Sequence, residues 1–185
     1  MRIGLISDTH IPSMGKEPPA QVLRAFEGVD LILHAGDVYT QDCIDWLARI
    51  APVHATTSQF ANGGEGAPRA SRPIVVEVEG HAIGVVHKLE LTALADEVTP
   101  GMIARALPPN ASIPDDLADL FGRLVDIVVC GYTHEAMIEE HQGVLLVNPG
   151  SPNMVKQSMR LGTVAILELT ADGAEPRIID LATLD

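Results

Sequence analysis

Carboxylate and imidazole side chains follow several apolar segments of this sequence. Asp8 and His10 follow the first segment, Asp37 follows the second, and His134 follows one near residue 130. A mixed set of oxygen and nitrogen donors suits Mn, Fe or Zn better than the all-oxygen sites that Mg and Ca prefer. A single aspartate after a strand often only caps a helix, so the prediction depends on the whole set. We therefore expect these four side chains to bind one transition-metal ion.

The spacing of these residues agrees with a shared site. Asp8 and His10 are two positions apart, and in an extended segment such residues point the same way. Ligands of open α/β sheets bind beyond the carboxyl ends of the strands, where side chains distant in sequence meet. The clusters that follow these strands can therefore converge in space although they are far apart in sequence.

The first third of the chain has the pattern of a doubly wound α/β unit. Short apolar runs at Arg2–Ser7, Leu31–Ala35 and Val53–Thr57 predict buried strands. Between them, Ala20–Phe26 and Thr40–Ile50 have apolar residues at helical spacing, with Thr40 as the candidate N-cap of the second helix. Strands that alternate with helices predict a parallel sheet.

The remainder is predicted to be richer in antiparallel strands. The glycine- and proline-rich stretch 58–72 indicates an irregular loop, and 74–79 and 81–86 flank Gly80 as a hairpin. Residues 89–122 read as proline-bounded helices around 102–107 and 115–121, followed only by strands. These strands are expected at 126–130, 136–140, 144–147, 162–169 and 177–180.

Composition limits the classes of function. At 185 residues, with 46% hydrophobic and 20% charged residues, the sequence predicts one globular domain spanning 1–185. The formal net charge of −13 opposes binding to nucleic-acid polymers and anionic membranes, so a small anionic substrate would need a local positive centre. No apolar run has the length of a membrane helix, and we expect a cytoplasmic protein. Cys43 and Cys130 are expected to be buried thiols.

Five motifs together resemble one family, the calcineurin-like metallophosphoesterases, and most closely their small bacterial and archaeal phosphodiesterase branch. The motifs are DTH (8–10), HAGD (34–37), VVH (85–87), GYTH (131–134) and NPGSP (148–152), and the resemblance runs from residue 1 to about 169. It implies a two-sheet α/β sandwich, with mixed sheets and flanking helices, that holds two metal ions. Relative to small members of the family, 89–122 reads as a helical insertion, with a lid and an oligomer contact as alternative roles.

Carried over from the family, the first metal would be held by Asp8, His10, Asp37 and His134, with Asp37 bridging to the second. The second metal would also use the histidine matched by His87.

The remaining positions of the second site depart from the family pattern. Gln59 aligns where an asparagine is expected, and Asn62 would replace it only if the loop carries an insertion. Tyr132 stands in place of a histidine, and a phenol is a poor ligand unless it loses its proton. Lys88 replaces the glycine after His87, and either supplies positive charge in place of the second ion or is a solvated surface lysine. Arg160 is a weaker candidate for that charge.

The resemblance implies a metal-dependent phosphoesterase, more specifically a phosphodiesterase, that acts on a small phosphate ester through metal-activated water. Asp37, His87 and Lys88 are its candidate catalytic residues. The cofactor would be one or two divalent ions (Mn, Fe, Zn or Ni), with Mn expected to serve in vitro. The alternative is a degenerate member that serves as a protein-binding scaffold, as a retromer subunit of the same fold does. A homo-oligomer is a further partner hypothesis.

Four other histidines and one asparagine receive structural interpretations. His34, inside a buried strand, either supports the metal ligands or is a core residue with satisfied hydrogen bonds. His54, His81 and His141 are expected at the surface. Asn148 opens a loop that either shapes the site through backbone groups or is only a turn.

Overall fold

A computed structural model describes residues 1–56, 72–156 and 158–184. Two five-stranded sheets form its centre, and helices cover their outer faces. The expected two-sheet α/β sandwich is thus the observed architecture. The predicted loop at 58–72, except for Arg72, lies outside the described residues.

The first sheet has the strand order β12-β11-β1-β2-β3, in which β1, β2 and β3 are parallel and β11 is antiparallel to both neighbours. Helices α1 and α2 connect its parallel strands, as the sequence predicted. The elements are β1 (Arg2–Ile6), α1 (Gln21–Ala25), β2 (Leu31–His34), α2 (Gln41–Ala48), β3 (Val53–Ala55), β11 (Thr163–Thr170) and β12 (Gly173–Asp180).

The second sheet has the order β4-β5-β6-β8-β7, with β5, β6 and β8 parallel and hairpins at both edges. Helices α3 and α4 lie between β5 and β6 in the chain. The elements are β4 (Ile74–Val78), β5 (His81–Val85), α3 (Met102–Ala106), α4 (Ile113–Phe121), β6 (Ile127–Val129), β7 (Met137–His141) and β8 (Val144–Asn148).

The core has three layers because each central strand has apolar residues on both faces. Between the sheets, Ile3 and Leu5 of β1 pack in one cluster with Ile83 and Val85 of β5. A second cluster lies under α1 and α2, and a third lies under α3 and α4. Alternation along β1 and β2 thereby fixes which side chains face the second sheet and which face the helices.

The helices predicted around 102–107 and 115–121 are present as α3 and α4, and prolines and turns occupy the rest of 89–122. Three other local features differ from the predictions. Thr40 precedes α2, but its hydroxyl makes no capping hydrogen bond. The strictly β prediction after residue 122 missed a short 3₁₀ helix at Leu181–Thr183. A two-residue pair, β9 (Met154–Val155) with β10 (Ser158–Met159), was also not predicted.

No helix in the described residues is long and apolar enough to cross a bilayer. Cys43 and Cys130 are buried free thiols, as expected.

Candidate metal centre

The carboxyl ends of parallel strands from both sheets meet at one edge of the sandwich. Backbone hydrogen bonds join the loops: the Asp8 N–H donates to Gly36 O (3.0 Å), the His10 N–H to Asp37 O (2.9 Å), and the Gly131 N–H to His87 O (2.9 Å). Backbone hydrogen bonds thus join the loop after β1 to the loop after β2, and the loop after β5 to the loop after β6.

The backbone at this edge is unusual. Five non-glycine residues there adopt positive φ: Asp8 (53°), His10 (50°), Asp37 (52°), Tyr132 (74°) and His134 (58°). Residues with side chains enter this left-handed region at an energetic cost, and they cluster at functional sites because the surrounding structure must hold them there.

One group of ligand atoms comprises Asp8, His10 and His134, whose atoms lie within 4.8 Å of one another. His134 Nε2 lies 3.3 Å from Asp8 Oδ1 and 3.1 Å from His10 Nε2. Two ring nitrogens this close cannot both present lone pairs to each other. They must share a proton or a cation.

A second group comprises Asp8, Asp37 and His87. His87 Nε2 lies 3.5 Å from Asp37 Oδ1 and 3.8 Å from Asp8 Oδ1. Asp37 also reaches the first group, since its Oδ2 lies 3.6 Å from His10 Nδ1. Both carboxylates thus lie between the two groups, whereas the resemblance gave the bridging position to Asp37 alone.

The orientation of His87 follows from one hydrogen bond. Its Nδ1 lies 3.0 Å from Ala35 O, which can only accept, so Nδ1 carries the proton and Nε2 keeps its lone pair. A neutral imidazole with this tautomer is the form that binds metal ions. Gly36 makes the approach possible, because a Cβ at this residue would overlap the His87 ring.

The electrostatics of the cluster favour a cation. Asp8 has no exposed surface, and in the described residues its carboxylate and that of Asp37 form ion pairs with histidines only. Burial tends to raise the pKa of Asp8, but the His134 hydrogen bond, and the attraction that a protonated His87 would exert, outweigh it and lower that pKa. Burial tends to lower the pKa of His134, yet Asp8 raises it overall. A buried carboxylate surrounded by imidazole nitrogens fits a transition-metal ion well.

His34 connects the loops after β1 and β2 through hydrogen bonds. The Gly36 N–H donates to His34 Nδ1 (3.2 Å), so Nε2 carries the proton and donates to Thr9 Oγ1 (3.1 Å), which donates to Asp37 O (3.3 Å). Burial lowers the pKa of His34 to about 3, so the ring is neutral. Both interpretations of His34 therefore apply: it is a satisfied core residue, and it ties Thr9 to Asp37.

The loop after β8 holds the same backbone from another side. Asn148 donates to Gly131 O (2.9 Å), Ser151 Oγ donates to Asp8 O (2.8 Å), and Asn153 Nδ2 donates to Thr9 O (2.8 Å). The loop thus acts on the site through side chains rather than through the backbone groups that the resemblance implied.

The remaining predicted site residues lie at the border of the cluster or outside the described chain. Tyr132 donates its backbone N–H to Asp8 Oδ2 (3.0 Å), and its ring packs edge-on against His87 with centroids 5.5 Å apart. Lys88 Nζ lies 5.2 Å from the centroid of the Tyr132 ring and 2.9 Å from Glu90 Oε1. Gln59 and Asn62 lie outside the described residues. Arg160 is exposed on the β9–β10 hairpin.

Sequence reasoning missed Tyr39, whose hydroxyl lies 2.8 Å from His10 Nδ1. Burial, reinforced by the Asp37 carboxylate, raises the pKa of Tyr39 to about 12. The available signal was its position two residues after Asp37, the same spacing that links Asp8 to His10.

Two of the three histidines expected at the surface are partly buried. His81 pairs with Asp126 and with Thr170 O (3.0 Å), and His141 Nε2 lies 2.7 Å from Glu139 Oε2. Only His54 is exposed. The partner of His81 is 45 positions away in the chain, whereas His141 pairs with Glu139 on its own strand β7, a contact that the spacing of two residues could have indicated.

Comparisons with known proteins agree with this architecture. The calcineurin-like phosphoesterase superfamily domain matches residues 1–172. A probable metallophosphoesterase of Methanothermobacter thermautotrophicus is 33% identical, over 94% of this chain and 87% of its own length.

Two solved structures share the fold at low identity. A Zn²⁺-complexed Vps29 from Entamoeba histolytica superposes with a TM-score of 0.65 at 19% identity, covering 98% of this chain and 99% of its own. A structure described as a novel archaeal phosphodiesterase gives a TM-score of 0.59 at 20% identity, covering 97% and 100%. The family match over residues 1–172 and the curated relative lead to one conclusion: this chain belongs to the calcineurin-like phosphoesterase superfamily.

Proposed function

We propose that this protein is a metal-dependent phosphoesterase that hydrolyses a small phosphate ester, and more specifically a phosphodiester. The observation that carries the proposal is the convergence of two carboxylates and three imidazoles, Asp8, Asp37, His10, His87 and His134, at one edge of the sandwich. Family membership supports hydrolysis of phosphate esters, and the fold shared with an archaeal phosphodiesterase favours diesters.

In this proposal Asp8, His10, Asp37 and His134 hold one divalent cation. When bound, the cation supplies positive charge to phosphoryl oxygens and acidifies a water molecule, and Mn, Fe, Zn and Ni all suit the donors. Asp37 and His87 would also contribute to a second ion, with Tyr132 and Gln59 as its remaining predicted ligands.

The chain itself would orient the reacting groups. His87, fixed by Ala35 O, directs an acceptor nitrogen into the cluster. Lys88 brings a cation to the border of the cluster, although Glu90 balances part of its charge. Buried Asp8 keeps its negative charge directed at the centre, because its backbone oxygen and carboxylate are both held by hydrogen bonds.

The test is hydrolysis of bis-p-nitrophenyl phosphate with Mn²⁺, compared with a monoester and with His10→Ala. We expect turnover of the diester by the wild type and loss of turnover in the variant. Protein purified without chelator would give the number of cations per chain by mass spectrometry. If neither the wild type nor His10→Ala hydrolyses either ester with any of several metals, the enzyme proposal fails.

A second candidate function is a protein-binding scaffold. It is favoured by Tyr132, which stands at a family ligand position, and by the fold shared with Vps29. The two candidates separate in the same assay, because a scaffold would bind a cation at the first group without hydrolysing either ester.

A further inference from the structure

Tyr39 contacts one candidate metal ligand directly. Its hydroxyl lies 2.8 Å from His10 Nδ1. The Tyr39 ring also packs edge-on against the His10 ring, with centroids 5.5 Å apart. Hydrogen bonding and ring packing therefore both act on the orientation of His10.

The direction of the hydrogen bonds follows from the donor inventory. If His10 Nε2 offers its lone pair toward His134 and Asp8, the neutral ring must carry its proton on Nδ1. That Nδ1–H can then donate to the Tyr39 oxygen. The phenol keeps its own proton.

We propose that Tyr39 is a positioning residue of the metal centre, which fixes the tautomer and ring orientation of His10. The proposal rests on the metal site of the proposed function. The phenol acts by accepting a hydrogen bond from Nδ1 of that ligand. Groups that hold a metal-binding histidine in this way tune its affinity without contacting the ion.

Without the phenol, His10 would have a competing arrangement. The next acceptor near Nδ1 is Asp37 Oδ2 at 3.6 Å. A direct His10–Asp37 hydrogen bond would use a carboxylate lone pair that the cation needs, and it would rotate Nε2 away from His134. Tyr39 therefore keeps two ligands from pairing with each other.

The test is Tyr39→Phe, which keeps the ring and removes only the hydroxyl. The matched control is Thr40→Val, which removes the neighbouring hydroxyl, one that makes no hydrogen bond to any residue that the structure describes. Co²⁺ and Zn²⁺ affinities are measured by competition with a chromophoric chelator. Nitrogen-15 NMR of metal-free protein reports the tautomer of His10.

We expect Tyr39→Phe to weaken metal affinity by roughly 10- to 100-fold, and to convert a single Nδ1–H tautomer of His10 into a mixture. Thr40→Val should change neither quantity. Equal affinity and an unchanged tautomer in Tyr39→Phe would overturn the proposal. An iron-loaded protein with a phenolate charge-transfer band that disappears in Tyr39→Phe would also overturn it, by making Tyr39 a direct ligand. If the wild type binds no cation at all, the proposed function fails instead.

Discussion

The two sides of the candidate metal centre differ in how completely the fold encloses them. Asp8, which both groups share, has no exposed surface. On the first side, the side chain of His134 is 5% exposed. On the second side, the side chain of Asp37 is 21% exposed. From this contrast we propose that the first side holds one cation and that a second cation would be held more weakly.

The strongest challenge to this comparison is Asp8→Asn, because Asp8 belongs to both groups of ligand atoms. We expect metal affinity to fall by roughly 100-fold or more, and diester hydrolysis to fall with it. The metal-free variant should stay folded, since removal of a desolvated charge offsets the lost hydrogen bonding. Calorimetric metal titration and urea unfolding measure the two effects. Undiminished metal binding would show that the first side does not depend on Asp8.

Tyr132→His would sharpen the comparison by giving the second side the ligand type that its family uses. We expect the stoichiometry to rise from one to two cations per chain, and kcat/KM to rise about tenfold, or about 1.4 kcal/mol in the barrier. Tyr132→Phe is the control, and it should gain no cation. Two cations in the wild-type protein would contradict the distinction between the sides.

Substitution of His34 tests whether one buried side chain stabilises the loops on both sides of the centre, because His34 connects Thr9 to Asp37 through hydrogen bonds. Its pKa is about 3 in the fold, against an ordinary value of about 6.5. The folded protein therefore favours the neutral ring of His34. The resulting contribution to the free energy of unfolding is fully present above about pH 6.5 and is lost as the pH falls toward 3. Between pH 7 and 5 the wild type should lose up to about 2 kcal/mol that His34→Gln does not lose. Parallel urea titrations of the two proteins would measure this, and identical pH slopes would contradict it.

Lys88 carries the smallest expected effect. Because it is exposed and paired with Glu90, Lys88→Met should alter stability by less than about 0.5 kcal/mol. We expect kcat/KM to fall a few-fold, and Glu90→Gln, which frees the lysine charge, to raise it. Steady-state kinetics at saturating Mn²⁺ would check both variants. Unchanged kcat/KM in both would leave Lys88 as a solvated surface lysine.

Much of the fold could be predicted from local patterns. The apolar runs at β1 and β2 and the hairpin around Gly80 were recognisable because burial and turn geometry act on neighbouring residues. The convergence of Asp8, Asp37 and His134 was predictable because all three follow strands.

Other contacts could not be predicted, since they join segments far apart in the chain. The Ser151–Asp8 hydrogen bond spans 143 positions, and the His87–Ala35 bond spans 52. Nothing in the local sequence of either partner specifies the other. The role of Tyr39 was hidden for a similar reason, because it depends on the approach of two loops from different strands.

The left-handed backbone at Asp8, His10, Asp37, Tyr132 and His134 has one further consequence. The conformational entropy of these residues is lost during folding. A metal ion that binds afterwards therefore orders little more of the chain. Chelation should then empty the centre without melting the protein, and reloading should be rapid. Such a protein would respond to metal supply through its occupancy while its shape stays the same.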